Sequence, residues 1–134
     1  MSYETFLLSD QLTIPRANFQ ACVDDICTFH RSINPNIECP GGVASFVAKT
    51  VEVKMIEAMA FFGWRPFVSD EGITGLDLEL PRAGSADFLK AIAPHVESES
   101  TIEYVGEDGV AVKYIFREKR VITYVGRIQY DVLD

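Results

Sequence analysis

The stretch TIEYVGEDGVAVKYIFREKRVITYVGRIQY, residues 101–130, decides the class of this fold. Valine, isoleucine, tyrosine and phenylalanine fill three runs, 101–106, 110–117 and about 120–130, and such side chains suit a pleated, half-buried surface. Asp108-Gly109 separates the first two runs and is a hairpin signal, because a type I′ turn needs positive φ at both central residues. Glu118-Lys119 separates the second and third and is a weaker signal of the same kind. The spacing predicts an antiparallel meander with one face against helices.

If both turns are two-residue loops, parity sorts the side chains. One face then carries Val105, Val110, Val112, Tyr114, Phe116, Val121 and Val125, the expected core. The other carries Ile102, Tyr104, Lys113, Ile115, Arg117, Arg120, Ile122 and Tyr124. Lys and Arg stems lying along a half-exposed sheet account for part of that mixture. Exposed apolar residues rimmed by charge also mark partner surfaces, where Tyr and Arg are favoured. Tyr104, Lys113, Arg117, Arg120 and Tyr124 are therefore the candidate binding residues.

Working back from the meander, Ser85 can cap a short helix with Asp87 in its first turn and Phe88, Leu89, Ile92 and Val96 facing inward. Before it, 65–69 and 73–80 read as strands around the turn Asp70-Glu71-Gly72, with Leu76, Leu78 and Leu80 alternating against Asp77 and Glu79. Residues 44–62 show Val47, Val51, Met55, Ala58, Met59 and Phe62 on one helical face, with Gly63 as the stop. A further helix starts near Pro15 and places Phe19, Cys22, Val23, Ile26, Phe29 and Ile33 on one stripe until Asn34-Pro35 ends it. Residues 3–14 can supply an edge strand. The expectation is an α+β fold in a single domain, 1–134. Two to three helices would pack on one face of a mainly antiparallel, roughly five-stranded sheet that ends in the meander.

The totals agree. At 134 residues and 48% hydrophobic, the chain can bury a core and offset its entropy. The start has no basic n-region, and the longest apolar run, 58–62, falls far short of the roughly 20 residues that span a bilayer. Three cysteines are an odd count, which fits reduced thiols better than a disulfide scaffold. A cytoplasmic setting, away from membranes, is the expectation. The net charge of −8 disfavours nucleic acid as a partner, since such binding rests on neutralising phosphates. That charge is uneven. Residues 68–108 hold ten acids against Arg82 and Lys90, whereas 109–134 hold five cations against three acids.

Reactive constellations are weak. Cys22, Cys27, His30 and Cys39 are ligand types, but residues five apart on a helix point about 140° from each other, so Cys22 and Cys27 do not converge on a metal. They read as core cysteines, with His30 at the rim. Cys39 with His30 or His95 lacks a signature that sets a base against a thiolate. Asp77, Glu79 and Glu103 follow a solvated strand pattern rather than that of a carboxylate pair. Pro40-Gly41-Gly42 could offer N–H groups to an anion, but no Walker lysine accompanies it. Trp64 reads as a core anchor. No catalytic residue, metal or cofactor is expected.

Three pieces, FLKAIAPHV (88–96), TIEYVGEDG (101–109) and VKYIFR (112–117), resemble a group of small uncharacterised bacterial and phage-associated proteins. That group shares an Ala-Pro-x-Val helix end, a Gly-Glu-Asp-Gly hairpin and an aromatic-rich strand. The strand there usually begins with Trp, where this chain has Val112 or Lys113, and a Gly commonly closes the next turn, where this chain has Lys119. The resemblance covers about the last third of the chain, supports the hairpin and implies no activity. The expected function is a non-enzymatic protein–protein interaction module, with a protein partner or a second copy of itself on the candidate face. The alternative is a small anionic or nucleotide-like ligand stacked on Tyr104 or Tyr124 beside Arg117.

Overall fold

The computed structural model describes residues 5–36, 50–78, 86–127 and 132. Strand β1 (Thr5–Gln11) and the short β2 (Ile14–Pro15) precede helix α1 (Phe19–Ile33), and α2 (Val51–Phe61) follows. Next come β3 (Trp64–Val68), β4 (Gly72–Leu78), α3 (Ala86–Ile92), and then β5 (Ser100–Gly106), β6 (Val110–Arg117) and β7 (Arg120–Arg127). The fold is α+β with antiparallel pairing and a closing meander, as the sequence predicts. Among the described residues the strands divide into two sheets, ordered β1-β5-β6-β7 and β2-β4-β3.

Helix α1 forms where the apolar period places it, and Phe19, Cys22, Val23 and Ile26 are buried. Its last turn corrects two expectations. Ile33 stands 52% exposed, and the stripe is completed by His30, which is 0% exposed rather than at the rim. His30 lies four residues past Ile26, on the same helical face. The Phe61 ring meets it edge-on, 4.9 Å between centroids, and among the described residues neither ring nitrogen has a hydrogen-bond partner.

In α2 the buried side chains are Met55, Ala58 and Met59, with Val51 and Phe62 half-buried. The helix begins at Val51, where the Thr50 hydroxyl accepts the Val53 N–H at 3.3 Å and satisfies one open donor of the first turn. Val47 and the rest of the expected N-terminal part lie outside the described residues. Gly63, at φ 85°, makes the expected stop.

Strand β3 starts one residue earlier than expected, on Trp64, which is fully buried and stacks on Phe88 at 6.4 Å. In β4, Leu76 is buried and Leu78 packs against the core while Asp77 between them pairs with Arg65, as the alternation predicts. Ile73 is buried as well, although three residues before Leu76, because the register slips between Phe67 and Val68 and changes the parity of the strand. Leu80, Glu79 and the expected cap Ser85 lie outside the described residues. Gly72 closes the β3–β4 turn at φ 143°, and a Cβ there would stand 2.2 Å from the Ile14 carbonyl oxygen. Phe88, Leu89, Ile92 and Val96 bury inward from α3, as its pattern predicts.

One side chain ties the two sheets together. A bulge between Leu7 and Ser9 re-aims β1, so that Asp10 reaches β4 and its carboxylate accepts the Leu76 N–H at 3.1 Å. Gly75 makes room: a Cβ there would lie 2.8 Å from Asp10 Oδ2 and 3.0 Å from the Phe67 ring. Burial is the largest influence on Asp10 and raises its carboxyl above the ordinary 3.8.

Candidate functional site

The candidate face is built by two hairpins of different design. In the second, Glu118 (φ 52°) and Lys119 (φ 65°) both take left-handed conformations, so the loop is the expected two-residue type I′ turn, with Arg117 across from Arg120. In the first, only Gly109 is left-handed, at φ 81°. The Gly109 N–H donates to the Gly106 carbonyl at 2.9 Å, and the Asp108 carboxylate accepts the Val110 N–H at 3.0 Å. That is a three-residue loop, a type I turn closed by a glycine bulge. An aspartate that can satisfy the next backbone donor from its side chain does not need the strained φ a two-residue loop would demand.

One extra loop residue moves β5 by one position against β6, and a slip of one exchanges the faces of a strand. Val105 sits across from Ala111, and Tyr104 from Val112. The inner face therefore carries Ser100, Ile102 and Tyr104 from β5 with Val112, Tyr114 and Phe116 from β6. Ile102, Tyr114 and Phe116 are buried there. The outer face carries Thr101, Glu103 and Val105, then Ala111, Lys113, Ile115 and Arg117, then Arg120, Ile122 and Tyr124. Ile102, Tyr104 and Val105 thus exchange faces relative to expectation, whereas β6 and β7 sort as expected.

Of the five candidate residues, Lys113, Arg117, Arg120 and Tyr124 share the outer face. Tyr104 does not: it is half-buried on the inner side, its hydroxyl 3.3 Å from that of Tyr114. Burial, reinforced by that contact, pushes the Tyr114 phenol well above its ordinary range. Arg117 is already engaged. Its Nε and a terminal nitrogen donate to the two Glu99 carboxylate oxygens at 2.7 and 2.9 Å. This pairing lowers the Glu99 carboxyl and raises the guanidinium. Lys113 lies across from Glu103 on one side and Tyr124 on the other. Arg120 is exposed and has no ion-pair partner among the described residues.

No residue of this outer face is buried. Ile122 is 36% and Tyr124 51% exposed, and no described helix lies across them. On the inner side of β7, Val121 packs against the core as expected, but Val125, also expected there, is 70% exposed. Among the described residues β7 stands at the border of its sheet, a placement that the parity of the hairpins does not address.

The other chemistry-bearing residues are dispersed. Cys22 is a buried free thiol that burial holds well above its ordinary range, and Cys27 is a half-buried free thiol. Cys39 lies outside the described residues. His95 Nε2 sits 2.6 Å from Asp25 Oδ2, joining the end of α3 to α1. Asp77 is paired with Arg65 at 2.9 Å. Among the described residues, no three His, Cys, Asp or Glu side chains are grouped to hold a metal, and no helix is long and apolar enough to cross a membrane. Set against protein-family models, curated proteins and solved structures, the chain matches none.

Proposed function

We propose that this chain is a protein–protein interaction module that engages its partner through the outer face of β6 and β7. The observation that carries the reading is the exposure of Ile122 and Tyr124 beside Lys113 and Arg120, on a sheet face with no described element across it. Tyrosine offers a large, rigid contact area at low entropic cost, and lysine and arginine around it supply orientation and steering. A protein surface fits this arrangement better than a small anion. The anion reading needs Tyr104 or Tyr124 to stack a ligand beside a free Arg117, but Tyr104 faces inward and Glu99 occupies Arg117. A reducing, cytoplasmic setting accords with the free thiols of Cys22 and Cys27.

Affinity capture with the wild type and with Lys113→Glu/Tyr124→Ala tests the reading, using Lys90→Glu on α3 as a charge control. The double variant should lose partners that the wild type and the control retain. Identical capture by all three would end it.

A further inference from the structure

The border strand β7 has the pattern of a strand made to pair with its own copy. Eight residues, Arg120 to Arg127, run in unbroken register with β6. A two-residue turn makes Arg117 and Arg120 a hydrogen-bonded pair, and such pairs alternate along an antiparallel ladder. The backbone groups of Ile122 and Tyr124 therefore turn toward β6, and those of Val121, Thr123, Val125 and Arg127 turn outward. Among the described residues nothing pairs with them.

Natural sheets blunt such a border with proline, a bulge, a short strand or a charge in mid-strand. Strand β7 has no proline or bulge, and its cations stand at its two ends. Its centre, Val-Ile-Thr-Tyr-Val, is uncharged; Val121 packs partly against the core, and Ile122, Thr123, Tyr124 and Val125 are exposed.

The strand is also self-complementary. An antiparallel copy must set outward-turned residues against each other, which restricts the register to even steps. With the two-fold axis at Thr123, Val121 meets Val125 of the copy, Ile122 meets Tyr124 and Thr123 meets Thr123. These are β-branched and aromatic cross-strand pairs of the favourable kind. Arg120 falls opposite Gly126, where a Cβ would find nothing within 4 Å, so the arginine stem has room. The same patch of surface serves both partners, which is the requirement of a closed two-fold dimer.

We infer that a second copy of this chain pairs antiparallel along β7 about Thr123, continuing the four-stranded sheet across the two-fold axis. This deepens the interaction reading above and rests on it for the role of the C-terminal sheet. Each copy carries a net charge of −8, and Lys119 approaches Arg127 of the other copy, so added salt strengthens the pairing. Capture of an acidic strand by the same border would show the opposite salt response.

Light scattering behind size exclusion, from about 5 to 200 µM protein, should give a concentration-dependent mass rising toward twice that of the chain. Thr123→Pro removes an outward-turned N–H and leaves the β6 ladder intact, so it should remain folded and monomeric. Should that variant fail to fold, amide exchange on the wild type decides. The Val121, Thr123 and Val125 amides should gain protection with concentration, while those of Ile122 and Tyr124 stay protected throughout. A monomeric mass at the highest concentration, or exchange at Val121, Thr123 and Val125 that ignores concentration, would overturn the pairing. If the chain is monomeric but capture still depends on Lys113 and Tyr124, the pairing fails and the interaction reading stands.

Discussion

At one border of the four-stranded sheet, β1 carries a bulge beside Leu8, turns Asp10 across to β4 and has its Leu76 hydrogen bond admitted by Gly75. At the other border of the described strands, β7 keeps an unbroken register with β6, and a Cβ on its glycine, Gly126, would meet nothing within 4 Å. One glycine lets two sheets approach; the other has no described element near the place a Cβ would take. A bulge, an inward carboxylate and a neighbouring sheet are devices that stop a strand from accepting another. Among the described residues these devices gather on β1 and are absent from β7, so one border is closed and the other has nothing paired to it.

The glycine pair offers the sharpest contrast. Gly75→Val would drive a branched side chain against Asp10 and Phe67 and should cost about 3 kcal/mol in urea unfolding. Gly126→Val should stay within roughly 0.5 kcal/mol of wild type. Comparable losses at the two sites would erase the distinction between the borders. Next in size, Asp10→Ala strips the Leu76 N–H of its acceptor and should cost about 1–2 kcal/mol, whereas Asp10→Asn keeps an acceptor oxygen and should cost less. Equal losses would show that the charge, rather than the hydrogen bond, holds the seam.

On the open side, Lys119→Gly relieves a left-handed side chain and should stabilise by about 0.5 kcal/mol, checked by the same unfolding. The smallest effect is in pH. Because the Asp10 carboxyl is raised in the folded chain, its protonation favours folding: the contribution is full below the ordinary 3.8 and lost as pH rises through the raised value. The wild type should therefore gain on Asp10→Asn as pH falls from about 6 to 3 in parallel denaturations. A growing deficit would place the burial penalty elsewhere.

Much of the frame was legible because it depends on local pattern. Helix α1 follows from the recurrence of Phe19, Cys22, Val23 and Ile26, and the meander from its aromatic and β-branched runs. His30 was misplaced because polar side chains are counted as outward, although its place on the helix is that of an apolar neighbour. Tyr104 was misplaced by a single residue of loop length, since Asp108-Gly109 is compatible with two hairpin geometries, and the Gly109–Gly106 and Asp108–Val110 hydrogen bonds select the longer one. The bulge at Leu8, the slip in β4 and the Glu99–Arg117 pair all depend on which strands become neighbours, and no local period encodes that. The sorting of side chains to the two faces was thus legible on β6 and β7 and illegible on β5.

Trp64 is the only tryptophan of the chain, fully buried and stacked on Phe88. Its indole N–H has no hydrogen-bond partner among the described residues. The protein thereby carries its one tryptophan fluorophore in an apolar site between β3 and α3. Its native emission should be blue-shifted and silent to anything that happens at a solvent-facing strand. Unfolding will move that spectrum, and joining of two chains will not, so a single optical signal separates loss of the fold from loss of the partner.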